Sequence, residues 1–260
     1  MSDYKRSPIK DRPLRKPGQS LEEQLDELAS DKITQPMVIA LLLVVLAGVE
    51  WSRYYFPQNP SPKLYTFGAL VGVGYVAFQI WRVWPRLRAL KQGRDGEKAV
   101  GQFLERMRET GYQVFHDVVG VGFNVDHVLI GPAGAFTIET KTFSKRRSAD
   151  AKVTFDGERI VVDGHEPDRD PVVQAKAQAR WLRELLAQST GRKFTVRPVI
   201  LFPGWWVEQS KGSSREVWVL EPKALPGFLS HEPEVLSPED VKLASFHLSR
   251  FIRTSESAQK

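Results

Sequence analysis

Residues 124–141 contain the pattern that decides the fold of the larger part of this chain. They read Asn124-Val-Asp-His-Val-Leu-Ile-Gly-Pro-Ala-Gly-Ala-Phe-Thr-Ile-Glu-Thr-Lys141, with two apolar runs on either side of a Gly-Pro-Ala-Gly turn. This pattern predicts two strands joined by a tight hairpin, Val125 to Ile130 and Ala135 to Lys141. Side chains alternate along a strand, so Glu139 and Lys141 should project from the same face.

Acidic side chains of the two strands are expected to meet at one end of this hairpin. A carboxylate and an ammonium at the end of a largely apolar strand are costly to bury unless another group compensates them. Asp126 begins the first strand, and a hairpin of this length can return it close to Glu139. Two carboxylates at one point suit Mg²⁺ or Mn²⁺, which prefer oxygen ligands and leave positions open for water and phosphate.

The residues around the hairpin predict an α/β domain that begins near Arg94. Apolar periodicity and turn residues place the further elements. Helices are expected over 95–110, 171–188 and 238–252, and further strands over 112–119, 152–154, 160–162, 195–202 and 217–220. This order of elements predicts a mixed central sheet flanked by helices.

The N-terminal third of the chain is predicted to anchor it in a membrane. Residues 36–49 and 64–81 are uncharged and apolar, and a Pro-rich turn separates them. Such runs predict a two-helix transmembrane hairpin, although a helical hairpin packed on the domain is the alternative. The predicted organisation is a polar, partly disordered arm (1–35), the transmembrane hairpin (36–84), a basic linker (85–93) and the α/β domain (94–260).

Composition and charge limit the classes of protein, the cellular locations and the partners that the sequence allows. The 260 residues include no cysteine, which excludes disulfide scaffolds, zinc-thiolate sites and cysteine nucleophiles. Lys and Arg flank both outer ends of the hairpin, so the positive-inside rule places both termini and the domain in the cytoplasm. The net charge of +6 favours nucleic acid or a lipid surface as partner. Gly68 and Gly72 have the spacing of a helix-packing face, toward the first helix or a second copy in a homo-oligomer.

Four features occur together in the order that one known family shows. They are Gly96-Glu97 at the start of the first domain helix, the strand Asn124-Val-Asp126-His127, the segment Glu139-Thr-Lys141, and Gln174 on the next helix. With these features the chain resembles, over residues 93–205, the nuclease-related domain (NERD), a branch of the PD-(D/E)XK nuclease superfamily. The resemblance implies an α/β, PD-(D/E)XK nuclease-like fold preceded by the transmembrane hairpin.

The resemblance also implies a role for each residue. Asp126 and Glu139 hold Mg²⁺ or Mn²⁺, and Glu97 assists through water or a direct bond. Lys141 orients the attacking water or the phosphate, and Gln174 steadies the site by hydrogen bonding. The implied activity is metal-dependent hydrolysis of phosphodiester bonds in nucleic acid, with DNA as the expected substrate. The Thr-Phe-Ser-Lys-Arg-Arg run after Lys141 departs from the polar residue and glycine common in the family.

Each of these assignments has a simpler alternative. Asp126 could cap a strand end, Glu139 and Lys141 could form an ordinary surface ion pair, and Glu97 could be a first-turn helix acid. For the whole protein, the alternatives are a catalytically inactive nucleic-acid-binding module and a membrane scaffold on a nuclease-like fold.

A basic cluster follows the candidate site. Lys145, Arg146 and Arg147 stand just beyond Lys141, where they could neutralise phosphates of a nucleic acid or form a solvated loop. Trp205 and Trp206 are interpreted as packing residues, with base stacking as the alternative.

Overall fold

The computed structural model describes residues 14–56, 62–120, 122–145, 152–209 and 216–258. The chain divides into two compact units. One comprises residues 20–92, and the other comprises residues 93–260 together with the N-terminal residues as far as Gln19.

The unit of residues 20–92 is helical. Helix α1 (Gln19–Ala29) is followed by a π-helical turn (Ser30–Thr34), α2 (Gln35–Tyr55) and α3 (Pro62–Leu104), whose residues from 93 onward belong to the other unit. Two helical stretches, Gln19–Tyr55 and Pro62–Thr110, are long and apolar enough to span a membrane. Most large apolar side chains of the runs 36–49 and 64–81 are exposed, as at Leu41 and Phe67, which is typical of helices that face lipid.

The predicted helix-packing face of α3 is partly occupied within this unit. A Cβ at Gly72 would lie 2.9 Å from Leu43 Cδ1 and 3.7 Å from Ala40 Cα of α2, so the absent side chain permits a close helix approach. A Cβ at Gly68 would meet no described atom within 4 Å. Gly72 therefore packs against α2, the first helix of the predicted hairpin. The homo-oligomer stays a prediction, and Gly68 is the residue of this face that it would use.

The other unit is built on a five-stranded mixed sheet. The strands are β1 (Gln113–Val119), β2 (Asn124–Gly131), β3 (Gly134–Thr140), β6 (Val196–Leu201) and β8 (Trp218–Leu220), in the order β1-β2-β3-β6-β8. The pairs β1·β2 and β2·β3 are antiparallel, whereas β6 and β8 run parallel to β3 and to one another. A smaller sheet of order β5-β4-β7 contains β4 (Lys152–Phe155), β5 (Ile160–Val162) and β7 (Trp206–Gln209).

Helices cover both faces of the main sheet. The end of α3 packs Val100 and Leu104 against Leu129 and Ile138 on one face. On the other face lie α4 (Pro171–Thr190) and α6 (Pro238–Ala258), and Leu182 and Leu248 contribute to the buried cluster there. The helical elements are completed by α5 (Leu225–Ser230) and by 3-10 turns at Glu105–Thr110 and Pro222–Ala224. The expected α/β architecture, a mixed sheet flanked by helices, is confirmed.

The hairpin that decides the fold forms in the predicted register. Gly131 pairs with Gly134 and His127 with Ile138, and Gly134 adopts a φ of +124°, which is accessible to glycine. A Cβ at Gly131 would lie 2.3 Å from Tyr112 Cδ1, so the Tyr112 ring packs directly on this turn. The apolar periodicity of the sequence does not predict β7 or α5, because both elements are short and carry few periodic apolar residues.

Candidate active site

The hairpin places Asp126 and Glu139 opposite one another on adjacent strands. The pair His127 and Ile138 precedes them in the antiparallel register, so Asp126 and Glu139 are the next cross-strand neighbours. The Thr140 backbone N–H donates to Asp126 Oδ2 at 2.6 Å. Glu139 is 4% exposed, so this carboxylate lies inside the domain and not on its surface.

Lys141, which follows β3, and two side chains of α4 hold the Glu139 carboxylate on both oxygens. Lys141 Nζ and Gln174 Nε2 each donate to Glu139 Oε1 at 2.7 Å. Lys141 Nζ also donates to Gln174 Oε1 at 3.0 Å, which closes a triangle of three side chains. The structure thus brings together Glu139, Lys141 and Gln174, three of the residues that the sequence indicates.

Gln178 completes this network, and sequence reasoning missed it. Its Nε2 donates to Glu139 Oε2 at 2.6 Å and to the Asn124 backbone oxygen at 3.0 Å. The side chain is 2% exposed and lies one helical turn after Gln174. A second glutamine four residues after the first, on the same face of a helix, is the signal that could have found it.

Glu97 reaches the same site from α3. The preceding residue, Gly96, lies so close to the segment after β3 that an added Cβ would stand 2.0 Å from Thr142 Cγ2. The pKa of Glu97 is raised to about 8, first by burial and then by the negative charges of Asp117 and Glu139, against the opposing charge of Lys141. This carboxyl is therefore electrostatically part of the site.

The carboxyl cluster, defined here as Glu97, Asp126 and Glu139, carries more potential negative charge than its one ammonium balances. Burial raises the pKa of Asp126 well above its ordinary value, and the charges of Glu139 and Glu97 raise it further. A divalent cation would relieve this repulsion, and acidic oxygen atoms are the ligands that Mg²⁺ and Mn²⁺ prefer. The donor chemistry of the cluster therefore fits such an ion.

Across the ranges described above, no group of three or more His, Cys, Asp or Glu side chains is already arranged to hold a metal ion. Mg²⁺ is commonly held by one or two protein carboxylates, with waters and substrate phosphates as the other ligands.

A fourth acid, Asp117, lies beside the carboxyl cluster and was not predicted. The pairs His116·His127 and Val118·Val125 place it opposite Asp126 in the β1·β2 register. It is 2% exposed and forms an ion pair with Arg15 at 2.8 Å. The partners are distant in sequence, which explains why spacing alone gives no signal for this pair.

The histidine next to Asp126 occupies the other face of the sheet. His127 is fully buried, and its Nδ1 lies 2.9 Å from His116 Nδ1. His116 Nε2 in turn lies 2.8 Å from Glu105 Oε1. Burial lowers the pKa of both histidines, so the pair is suited to packing as neutral imidazoles.

The basic cluster after the site is only partly described. Lys145 Nζ lies 5.1 Å above the ring of Trp205, a cation–π distance, and Trp205 itself is 3% exposed. Arg146 and Arg147 lie outside the described residues. Trp206 is 74% exposed and adjoins a groove of about 620 Å³.

Comparison with known protein families gives one match within this domain. A nuclease-related domain, NERD, is detected at residues 92–203, nearly the range over which the sequence resembles that family. No curated protein matches the chain. Among solved structures, one similar chain is SfsA of Pyrococcus furiosus, determined in complex with Ca²⁺, at 20% identity and a TM-score of 0.23. That alignment covers 49% of this chain and 54% of SfsA, so it spans about half of the SfsA chain.

Proposed function

We propose that this protein is a membrane-anchored, divalent-metal-dependent nuclease that hydrolyses phosphodiester bonds of nucleic acid, with DNA as its substrate. One observation carries the proposal. Asp126 and Glu139 face one another on adjacent strands beside Lys141, inside a domain that matches the nuclease-related family. Glu97 supports the proposal, because α3 approaches the segment after β3 closely at the preceding Gly96, and the charge of Glu139 acts on the Glu97 carboxyl.

Different residues would bind the metal ion and the phosphate. Asp126 and Glu139 would hold Mg²⁺ or Mn²⁺, and Glu97 would contact the ion directly or through water. When bound, the ion supplies a water of lowered pKa and withdraws charge from the scissile phosphate. With a pKa of about 8, Glu97 is largely protonated near neutral pH and would release its proton as the cation enters.

Lys141 is placed to act on the phosphate. Its Nζ is fixed by Glu139 Oε1 and Gln174 Oε1, and its side chain is 23% exposed. A fixed ammonium of this kind offsets the negative charge that develops on the phosphoryl oxygens in the transition state. Gln174 and Gln178 act on Glu139 and hold the orientation of its carboxylate.

Membrane anchoring completes the proposal. The apolar runs of residues 36–49 and 64–81, within the two helical stretches, would insert as a hairpin, with both termini and the nuclease-like domain in the cytoplasm as the flanking basic residues favour. Lys145, Arg146 and Arg147 would bind phosphates of the nucleic acid. The rival functions are an inactive nucleic-acid-binding module and a membrane scaffold. Carboxylates gathered beside the expected binding region of a polyanion favour a metal-dependent enzyme, because a simple binder has no physical reason to place negative charge there.

A cleavage assay on the full chain in detergent or nanodiscs tests this proposal. Supercoiled plasmid, single-stranded DNA and RNA are incubated with Mn²⁺, Mg²⁺ or EDTA. We expect metal-dependent nicking of plasmid that Asp126→Asn and Glu139→Gln each reduce by about 100-fold or more. Glu184→Gln, an exposed acid on α4, is the matched control and should leave the rate unchanged.

Full activity in either carboxylate variant would overturn the assignment of the site. Salt-dependent binding of DNA without cleavage under any divalent cation would replace the proposal with the binding module. Absence of both binding and cleavage would favour the scaffold.

A further inference from the structure

A buried ion pair joins the N-terminal segment of the chain to the strand beside the carboxyl cluster. Arg15 Nε donates to Asp117 Oδ2 at 2.8 Å, and the two side chains are only 7% and 3% exposed. The partners are 102 residues apart, and Arg15 precedes both apolar helical stretches in the sequence. Both residues nevertheless belong to the same compact unit.

Packing on either side of Arg15 fixes the N-terminal segment, defined here as residues 14–19. Leu14 packs against the apolar cluster that includes Val118 and Val125. A Cβ at Gly101 of α3 would lie 2.5 Å from Pro17 Cγ, so Pro17 rests directly on the helix backbone. Residues on both sides of Arg15 are therefore packed against the domain.

Asp117 has an unusual backbone for a strand residue. Its φ is +49°, in the left-handed region, where side chains other than glycine, asparagine and aspartate are rare. Strain of this kind persists where the surrounding structure demands it, and it concentrates at functional sites. Asn124 Nδ2 also donates to Asp117 Oδ1, at 3.4 Å, so the carboxylate is held on both oxygens.

The position of Asp117 makes its charge matter to the proposed metal site. It lies opposite Asp126 in the β1·β2 register, and its charge helps to raise the pKa of Glu97. An acid opposite Asp126 in the sheet, whose charge acts on Glu97, is an alternative oxygen ligand and an added attraction for a cation, unless a positive group holds it.

We infer that Arg15 is a positioning residue for the metal site: it neutralises Asp117 and holds that carboxylate away, so that the ion is bound by Asp126 and Glu139. This inference rests on the proposed function. The segment just ahead of the helical hairpin thereby completes the nuclease-like site.

Mn²⁺ binding to the full chain in nanodiscs, measured by electron paramagnetic resonance of the unbound ion, tests this role without turnover. Arg15→Met leaves the negative charge of Asp117 without the Arg15 guanidinium, so we expect it to tighten the Mn²⁺ Kd about three- to tenfold. Asp117→Asn removes that charge and tolerates the left-handed backbone, so it should weaken the Kd by a similar factor of about three to ten. The double variant and Arg15→Lys should both lie within about twofold of wild type.

Plasmid nicking at saturating Mn²⁺ is measured on the same samples. Arg15→Met should bind the ion more tightly and yet nick about tenfold or more slowly, because Asp117 then competes for the ion. Arg197→Met is the matched control. It removes a different ion pair of this unit, the half-buried pair of Arg197 with Glu232 at 2.6 Å. This variant should leave the Mn²⁺ Kd unchanged.

A merely structural role for Arg15 predicts that both single variants weaken binding, and that result would overturn the inference. So would an unchanged Kd in both variants.

If the variants shift the Kd in opposite directions but wild type never cleaves, the inference stands and the nuclease function fails. If wild type cleaves with metal but the opposite shifts do not occur, only the inference fails. A wild type that binds no Mn²⁺ overturns the metal site and the role of Arg15 together.

Discussion

At the scale of single residues, the site depends on negative charges that raise the pKa of Glu97 and of Asp126. Glu97, Asp126 and Glu139 come from three different elements, and the charges of Glu139 and Glu97 both act on Asp126. Lys141 supplies one positive charge, and two glutamines fix the Glu139 carboxylate without adding charge. The cluster therefore holds electrostatic repulsion that the proposed cation would relieve, and this would link metal binding to stability.

The raised pKa of Glu97 predicts a pH dependence of stability. Folding shifts this pKa from 4.5 to about 8, so the folded protein holds the proton more tightly than the unfolded chain. Between these pH values the free energy of unfolding should fall as pH rises, because deprotonation is costly only in the folded state. Glu97→Gln should flatten this decline, measured as the thermal midpoint in EDTA from pH 4.5 to 9. Parallel curves for the variant and wild type would contradict the placement of Glu97.

Gln178 provides a second prediction at this scale. Gln178→Leu removes the donors to Glu139 Oε2 and to the Asn124 carbonyl, so the nicking rate should fall about tenfold or more. Gln188→Leu on the same helix, at an exposed position, should change neither the nicking rate nor stability. Equal rates for both variants would show that Glu139 keeps its orientation without Gln178.

At the scale of elements, α4 contributes side chains both to the candidate site and to the apolar core. Its N-terminal half presents Gln174 and Gln178 to the site, and Asp170 caps the helix by accepting from the Val172 and Val173 backbone N–H groups. Its C-terminal half buries Leu182 in the apolar cluster against the sheet. Packing of the second half therefore sets the position of the glutamines in the first.

Truncating the buried face of α4 should destabilise the domain. Leu182 is fully buried, so Leu182→Ala should cost about 2–5 kcal/mol of unfolding free energy. Val173, which is 64% exposed on the same helix, is the control, and Val173→Ala should cost less than about 0.5 kcal/mol. Denaturant unfolding followed by tryptophan fluorescence measures both. A small loss for Leu182→Ala would show that α4 is not anchored by this side chain.

The elements that sequence predicts well are those with strong local periodicity. The hairpin of β2 and β3 follows from alternation and a Gly-Pro-Ala-Gly turn, and α4 follows from a helical apolar face. Local patterns also place Asp126, Glu139 and Lys141 at one end of the hairpin. They give no signal for Arg15 with Asp117, because that pair depends on a fold that joins residues 102 positions apart.

At the scale of the whole molecule, residues 14–19 of the polar N-terminal arm are part of the α/β domain. Residues 14–19 belong to the same unit as residues 93–260, although the helical unit of residues 20–92 lies between them in sequence. Deleting the N-terminal region to make a soluble fragment therefore removes Arg15 and Leu14 from the domain.

A fragment that begins at residue 92 should reveal this dependence. It leaves Asp117 without the Arg15 guanidinium, so its thermal midpoint should rise on Asp117→Asn. In the full chain, the same substitution breaks the buried ion pair and should lower the midpoint. Thermal unfolding of all four proteins measures the two shifts. Shifts of the same sign would contradict a stabilising role for the N-terminal segment.

Membrane topology is testable because the native chain has no cysteine. Single cysteines at Ser61, between the two apolar runs, and at exposed Ser230 of the domain can be labelled with an impermeant maleimide on intact cells. The positive-inside prediction is that Ser61→Cys reacts on intact cells and Ser230→Cys reacts only after permeabilisation. The reverse pattern would place the domain outside the cytoplasm.

The central claim is that Asp126 and Glu139 hold a divalent ion between two adjacent strands. Crystals of the full chain grown with Mn²⁺ and measured at the manganese absorption edge test it most directly. We predict an anomalous difference peak within ligand distance of both carboxylates, about 2.2 Å from an oxygen of each, and no such peak in Glu139→Gln. A peak bound only elsewhere, or well-ordered carboxylates with no ion at saturating Mn²⁺, would contradict the claim.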